Sequence, residues 1–188
     1  ALPHRDPLTV SAFYLAPTAL GPIDCEVEML GGGRGTSFAE VKMCQNEQLK
    51  VKVTAAFTDL DKLKGENWSS RERPQYPPWD ECPPSRDKGV EFRQRAEIRL
   101  VSGQEVFSER KGDGSGEFRG WMAHRDGTDP DIISLLMFAD AGPPPVLTVF
   151  GPVGWVPTVE LTVQVRAHPA PGPIQFRTVC HYLTNGVV

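Results

Sequence analysis

The sequence predicts an α+β fold in which antiparallel sheets wrap a central helix, with this arrangement occurring twice in tandem. Three observations support the prediction: strands with alternating polarity, one strongly apolar helix, and a repeated strand-turn-strand segment. A sheet with one buried face produces alternating polarity, whereas a helix that is apolar on nearly every side must be covered by other elements. Together they indicate a curved sheet folded around a buried helix.

The predicted central helix runs from Asp129 to Gly142, DPDIISLLMFADAG. Asp129 can accept hydrogen bonds from the amides of the first turn, and Pro130 suits the first helical position. Gly142 followed by proline ends the helix. Its interior is almost wholly apolar, so we expect the sheet to wrap it. The exception is Asp140 in the last turn, where the helix macrodipole and burial would both disfavour the ionised carboxylate.

Alternating polarity predicts strands before and after this helix. Lys50, Lys52 and Thr54 alternate with apolar neighbours, which indicates a strand with one buried face. The N-terminal strands are predicted to form an antiparallel meander, LTVSAFYLAP, IDCEVEML, TSFAEVKMC and QLKVKVTAAF. The later predicted strands are VEFRQRAEIRLVS, EFRGWMAHRDG, WVPTVELTVQVR and GPIQFRTVCHYL.

A charged, proline-rich stretch at residues 59–89 shows neither the alternation of a strand nor the periodicity of a helix. This pattern indicates a linker or surface loop. Its aromatic residues Trp68, Tyr76 and Trp79 indicate that part of it packs. The chain is therefore expected to divide into three parts. Residues 1–60 would form the C-terminal part of a first unit, residues 61–88 a linker or loop, and residues 89–188 the N-terminal and middle parts of a second unit.

One segment occurs twice. LTVSAFYLAPTALGPIDCEVEML, from Leu8, aligns with LTVQVRAHPAPGPIQFRTVCHYL, from Leu161; both open with LTV and turn at Gly-Pro-Ile. Such self-similarity indicates a duplicated unit. The second copy has a helix before its LTV that the first lacks, and the first has a hairpin after its turn that the second lacks. We therefore expect the chain to be the middle of a longer two-copy protein, incomplete at both ends.

Composition narrows the function classes. The formal net charge is −4 with acids and bases interspersed, which gives no reason to expect nucleic acid or a membrane surface as partner. No apolar run is long enough for a membrane helix, and the N-terminus lacks the pattern of a signal peptide. We expect a soluble protein of the cytoplasm or, alternatively, of peroxisomes. The four cysteines form no CxxC pair and indicate thiols rather than a zinc site, Cys25, Cys44, Cys82 and Cys180.

The sequence resembles the double hotdog fold, and more specifically the C-terminal half of the type II and thioesterase-like acyl-CoA thioesterases. The residues that carry the resemblance are MFADAGPPPVL, which contains Asp140, and WVPTVELTVQVRAHP, which contains Thr158. In that family a helix Asp, a strand Ser or Thr and a later Gln orient the water that attacks the thioester. The resemblance implies Asp140 as the acid and Thr158 as the hydroxyl, with the Gln beyond Val188.

Two departures from the family pattern matter. Glu160-Leu161 stands where the family often has Asp-His, and Arg5 of the first copy occupies the position of Thr158. At most one site is therefore assembled from this chain. The alternative interpretations are that Asp140 is a solvated surface carboxylate and that Thr158 is an ordinary strand residue.

The proposed pair is chemically sufficient. A thioester carbonyl is electrophilic enough for attack by water, so one carboxylate with a raised pKa beside a hydroxyl can serve as the general base. No nucleophilic serine, metal ion or redox cofactor is required. Candidates for substrate contacts are Gly154, Trp155 and Arg34, the last in a glycine run that forms either a hairpin turn or a contact with a CoA phosphate.

The remaining polar candidates read as structural. Ser115 lies in a glycine-rich turn without the spacing of a nucleophile elbow. His124 is placed at a strand end, and His168 and His181 in a turn and a strand.

We therefore expect a hydrolase of acyl-CoA or acyl-carrier thioesters, forming homo-oligomers because unpaired sheet edges recruit partners. The alternatives are a hotdog dehydratase or isomerase acting on an acyl or polyketide-like substrate, and an inactive binding or assembly protein.

Overall fold

The computed structural model describes residues 3–70, 72–86, 94–104 and 112–188. Within these ranges the chain forms two compact units. Unit 1 consists of Ala1–Asn67 and Pro157–His168, and unit 2 of Trp68–Val156 and Pro169–Val188.

Unit 1 contains a five-stranded antiparallel sheet. The strands are β1 (Asp6–Tyr14), β2 (Asp24–Gly32), β3 (Ser37–Gln45), β4 (Gln48–Thr58) and β7 (Glu160–Gln164). Their order in the sheet is β2-β3-β4-β1-β7. A short 3-10 helix, Leu60–Lys62, follows β4.

The strand register gives this sheet one apolar and one polar face. A row of cross-strand neighbours runs through all five strands on the apolar face, Val27, Val41, Val53, Ala12 and Leu161. The adjacent row lies on the opposite face, Glu28, Glu40, Thr54, Ser11 and Thr162. Because side chains alternate along a strand, rows alternate between faces. The polarity alternation in the sequence thus predicts this sheet correctly.

The opening strands of the two sequence copies pair with each other. β1 and β7 are antiparallel neighbours, and Val10 lies opposite Val163. Both valines are the third residue of an LTV segment, so exchanging the copies maps this pair onto itself. The Ser11 and Thr162 hydroxyl oxygens lie 2.8 Å apart beside it. The duplicated strands are therefore related by a local two-fold axis through the valine pair.

The predicted meander is wrong at one connection, because β1 pairs with β4 and not with β2. Residues 15–23 are too many for a tight hairpin, and they are held by Gln45 instead. The Gln45 side chain, which is buried, accepts a hydrogen bond from the Ala19 amide at 2.9 Å. It also donates to the carbonyls of Ala19 and Pro22. β2, β3 and β4 follow one another in the predicted antiparallel succession.

Unit 2 has a smaller sheet covered by a helix. Its strand order is β5-β6-β8, all antiparallel. The elements are β5 (Ala96–Leu100), β6 (Glu117–His124), α1 (Ser134–Ala141), α2 (Leu147–Phe150) and β8 (Ile174–Val179). A 3-10 helix, Trp79–Glu81, lies in the preceding loop.

The core of unit 2 lies between this sheet and α1. One buried cluster joins strand and helix, Ala96, Met122, Phe138 and Ala141. A second cluster holds Leu100 and Phe118, which are both fully buried. Gly120 of β6 lies between these clusters in a close contact, because an added Cβ would sit 2.1 Å from the Arg99 carbonyl oxygen.

The compact units group residues by packing, and the sequence-based division into two hotdog units joined by residues 61–88 stays a prediction. Residues 157–168 belong to unit 1, because the main chain of β7 pairs with β1. Part of the expected linker packs on unit 2 as the aromatic residues indicated. The Arg99 guanidinium stacks 4.5 Å from the centre of the Trp79 ring, and Trp121 Nε1 donates to the Pro77 carbonyl at 2.9 Å. Trp68 instead is 86% exposed.

The start of the predicted strand at residues 90–93 lies outside the described residues. None of the helices in the described ranges has the length and apolar character needed to span a bilayer.

Candidate active site

The central helix is shorter than the sequence predicts. α1 begins at Ser134, and residues 132–133 form a turn. Asp129 does not cap the helix; its Oδ1 accepts the Gly172 amide at 2.9 Å. The amide of Ser134 is instead bonded by Asp131 Oδ1 at 2.7 Å. An aspartate two residues further along the chain therefore closes the turn before the helix.

α1 is also buried on one face and not on all sides. Its buried residues are Ser134, Phe138 and Ala141, whereas Ala139 is exposed. Ile133, just before the helix, is 58% exposed. Through Phe138 and Ala141, α1 packs on the three-stranded sheet of unit 2.

Asp140 lies in the last turn of α1, half-buried between an exposed and a buried alanine. The end of the helix is fixed against β8. An added Cβ on Gly142 would sit 2.9 Å from Thr178 Cγ2, and Thr178 Oγ1 donates to the Pro143 carbonyl at 3.2 Å. The close contact and the hydrogen bond together set where the chain leaves α1. The sheet of unit 2 therefore positions the helix turn that carries Asp140.

Thr158 lies in unit 1, exposed and two residues before β7. Asp140 and Thr158 thus belong to different compact units, and their association stays a prediction. Glu160 and Leu161, which depart from the family pattern, are ordinary residues of β7. Glu160 Oε1 accepts a hydrogen bond from Thr162 Oγ1 at 2.5 Å, and Leu161 is half-buried.

The predicted substrate contacts lie on loops. Gly154 and Trp155 are exposed residues of the segment between α2 and β7, and Gly154 has a φ of +98°. Arg34 is exposed in the turn between β2 and β3. The Gly33 amide donates to the Thr36 carbonyl at 2.7 Å, so this glycine run forms the predicted hairpin turn. A role of these three residues in substrate binding stays a prediction.

Ser115 also has a structural role. Asp113 Oδ1 accepts the Ser115 amide at 2.9 Å, and the Ser115 hydroxyl donates to the Glu117 carbonyl. These bonds form the turn that the sequence predicts.

A hydrogen-bonded cluster that the sequence analysis missed lies at the start of α1. Ser134 Oγ is 2.6 Å from Asp131 Oδ1 and 2.8 Å from His124 Nε2. It also accepts the Asp131 amide at 3.0 Å. The centre of the His124 ring, on β6, lies 5.0 Å from the centre of the Phe138 ring, on α1. This cluster ties the end of β6 to the first turn of α1.

The hydrogen bonds of this cluster are those of a structural link between β6 and α1. The pKa of Asp131 is held below its usual value by its hydrogen bond from the Ser134 hydroxyl, so Asp131 is an ionised acceptor. The single Ser134 hydroxyl proton is therefore donated to Asp131, and Ser134 Oγ accepts from His124 Nε2–H. The sequence signal for this cluster is a pair of hydrogen-bonding residues three positions apart at a helix start, here Asp131 and Ser134.

His168 has charged neighbours that were not visible in the sequence. Its Nε2 lies 3.8 Å from Asp6 Oδ2 and 3.4 Å from Asp61 Oδ1, all within unit 1. Asp6 is buried and accepts the Leu60 amide at 2.8 Å. His181, in contrast, is exposed after β8. Among the described residues, no group of His, Cys, Asp or Glu side chains is arranged to hold a metal ion.

We expect Asp131→Asn to lower the free energy of unfolding by about 1 kcal/mol at neutral pH, because a neutral amide oxygen accepts the Ser134 hydrogen bonds about half as strongly as an ionised carboxylate. The hydrogen bond from the Ser134 hydroxyl holds the folded-state pKa of Asp131 below its usual value of 3.8. Its contribution is therefore fully present above that pH and is lost as pH falls through the folded value. Urea unfolding of both proteins, measured from pH 7 down to about pH 3, should show their difference shrinking.

The matched control for this experiment is Asp80→Asn, an exposed aspartate of the same unit. It should leave the free energy of unfolding within about 0.5 kcal/mol of the starting protein. A difference for Asp131→Asn that stays constant with pH would show that the ionised carboxylate does not close this turn.

Comparison with known proteins identifies the family. The family model for the acyl-CoA thioesterase C-terminal domain matches residues 70–188, and that for the acyl-CoA thioesterase N-terminal domain matches residues 1–58. No curated protein sequence matches the chain significantly.

Solved structures support the same fold. A candidate thioesterase II from Thermobifida fusca superposes with a TM-score of 0.85 at 26% identity, over 98% of this chain and 70% of that one. A candidate thioesterase from Novosphingobium aromaticivorans gives a TM-score of 0.72 at 24% identity, over 96% and 69%.

A hot dog fold protein of unknown function from Alicyclobacillus acidocaldarius gives a TM-score of 0.73 at 25% identity, over 90% and 63%. The α+β hotdog fold predicted from the sequence is thus confirmed. Since the C-terminal-domain match alone covers more than half of the sequence, the chain belongs to the acyl-CoA thioesterase family.

Proposed function

We propose that the protein hydrolyses acyl-CoA or acyl-carrier thioesters in lipid metabolism, in the cytoplasm or in peroxisomes. The observation that carries this proposal is a carboxylate, Asp140, in the last turn of a helix that the sheet holds in place. It occurs in a chain that matches both acyl-CoA thioesterase domains.

In the proposed mechanism Asp140 acts as the general base and Thr158 orients the water. The carboxylate takes a proton from water as the water oxygen attacks the thioester carbonyl carbon. The tetrahedral intermediate then expels the thiolate, which takes the proton back from Asp140, and the acyl group leaves as a carboxylic acid. The requirement is a water molecule within hydrogen-bond reach of both side chains in the substrate complex.

Substrate contacts are proposed for the loop residues predicted from sequence. Trp155 is 72% exposed and offers an apolar ring beside the segment that contains Thr158. Gly154, the preceding residue, has no side chain, so its exposed main chain is accessible to a substrate. Arg34 is an exposed cation in a hairpin turn, and a guanidinium is suited to a CoA phosphate because it can donate two parallel hydrogen bonds.

We further propose a homo-oligomer formed through unit 1. All nine residues of its outer strand β2 are exposed. Two apolar side chains of this strand are prominent, since Val27 is 63% and Met29 is 46% exposed. An outer strand with free main-chain groups and exposed apolar side chains pairs readily with another copy.

The direct test is thiol release from a panel of acyl-CoA substrates. Thr158→Val removes the hydroxyl with little change in shape and should lower kcat/KM by about tenfold, the value of one hydrogen bond. Thr158→Ser keeps the hydroxyl and is the matched control, which should retain most activity.

Two other outcomes would replace this proposal. Double-bond formation or migration without thiol release would indicate a dehydratase or isomerase, and binding without turnover would indicate an inactive hotdog protein. Equal activity of the Val and Ser variants would remove Thr158 from the mechanism.

A further inference from the structure

Unit 2 contains a crevice of about 470 Å³ that none of the functional assignments above uses. It lies along β8, which is the outer strand of the described three-stranded sheet. Its walls come from residues 73–76, residues 169–177 and Leu135 in the first turn of α1. Sites for small organic molecules typically measure about 300–1,000 Å³, so the crevice is large enough for such a ligand.

One part of the crevice wall is apolar. Leu135, Ile174 and Phe176 contribute aliphatic and aromatic side chains. Proline residues extend this wall, Pro74, Pro169 and Pro173. Proline has no amide N–H, so this surface has few donors. An aliphatic chain lying there would lose contact with water at little cost in unmet hydrogen bonds.

Arginines make the crevice cationic. Arg73 Nε donates to Gln175 Oε1 at 2.9 Å, which uses one of the five guanidinium N–H donors. Arg177 forms an ion pair with Glu117, but Glu117 also faces Arg119 at 3.3 Å. One carboxylate therefore serves two arginines, and Arg73 adds a third positive charge. This excess of positive charge favours an anionic ligand.

Tyr76 also lines the crevice. Its hydroxyl is shielded from solvent and has no hydrogen-bond partner among the described residues. Burial raises the pKa of this phenol, so it adds no negative charge to the crevice at neutral pH. The positive charge of the arginines is therefore not offset by this residue.

We propose that this crevice binds an aliphatic carboxylate, with its chain on the apolar wall and its carboxylate beside Arg73. The proposal rests on the proposed function only for the source of this ligand, since thioester hydrolysis releases a fatty acid. Leu135 and Asp140 are five residues apart on α1, about 7 Å along the helix axis. The crevice thus contacts the opposite end of the helix from the proposed general base.

Binding of decanoate, measured by titration calorimetry on the whole chain, tests the proposal. Binding should be saturable at one site, and each added methylene should tighten it by about fourfold. Decanol, which lacks the charge, should bind at least about tenfold more weakly. The same loss is expected for decanoate binding to Arg73→Gln.

Two variants make this test specific. Arg166→Gln changes an exposed arginine of unit 1 and should leave decanoate binding unchanged. Ala170→Trp places a large ring at the exposed rim of the crevice and should abolish binding without altering charge. Circular dichroism melting curves of each variant report whether it remains folded.

Equal affinity for decanol and decanoate would overturn the proposal, as would unchanged binding to Arg73→Gln or the absence of saturable binding. Decanoate is a product class and not a substrate. Its binding is therefore measured independently of turnover, and a chain without thioesterase activity would still bind it if this inference is correct.

Discussion

Replacing Asp140 with Asn should reduce kcat for thioester hydrolysis by about 10²- to 10⁴-fold, the range for loss of a general acid–base group. The amide has the shape of the carboxylate but cannot accept the water proton. Because the lost interaction forms only as water attacks, kcat and kcat/KM should fall together. The measurement is steady-state release of free CoA from an acyl-CoA that the unmodified chain turns over.

Asp80→Asn is the matched control, since it makes the same change at an exposed aspartate of unit 2. Its activity should equal that of the unmodified chain. Folding of Asp140→Asn is checked by its melting curve, which should be close to that of the control because Asp140 is only partly buried. Full turnover by Asp140→Asn would exclude this carboxylate as the base, whatever the fate of Thr158.

Local pattern predicts the strands of this fold well, because alternation records which face of a sheet is buried. Val53 and Thr54 lie in adjacent cross-strand rows of opposite character, as their polarity indicates. Which strands become neighbours is a different matter. β1 and β7 are brought together from opposite ends of the chain, and no local pattern encodes the pairing of Val10 with Val163.

The repeat was the one sequence signal that bore on this pairing. Equivalent strands of a duplicated unit can pair about a two-fold axis, because each then presents the same edge to the other. The repeat indicates a duplication but does not by itself predict which strands pair, so the sequence-based division has residues 157–168 in the second unit. In the structure the main-chain pairing of β7 with β1 joins these residues to unit 1.

The helix and its site show the same limit. Apolar residues correctly indicated a helix that carries Asp140, but the first turn depends on hydrogen bonds between side chains of different elements. His124 ends β6 and Ser134 begins α1, ten positions later. Composition cannot show that His124 Nε2 and Ser134 Oγ come within hydrogen-bond distance. The helix start therefore shifted from the predicted Asp129 to Ser134, where Asp131 closes the turn.

Phe118→Ala should lower the free energy of unfolding of unit 2 by about 3–5 kcal/mol, the usual cost of removing a buried phenylalanine side chain. Phe118 is 0% exposed and packs with Leu100 in the cluster that also contacts Leu147 and Phe176. Truncation leaves a cavity between β5, β6 and α2 that the surrounding residues fill only partly. A loss of this size is a large share of the stability of a small domain.

The four tryptophans make this measurement specific to unit 2. All of them lie between Trp68 and Val156, so their fluorescence during urea unfolding reports this unit and not unit 1. The matched control is Phe150→Ala, which removes the same atoms at a position that is 56% exposed. It should cost less than about 1 kcal/mol, because its side chain already contacts water. Equal losses for the two variants would show that the Phe118 cluster is not the core that holds the sheet and the helix segments together.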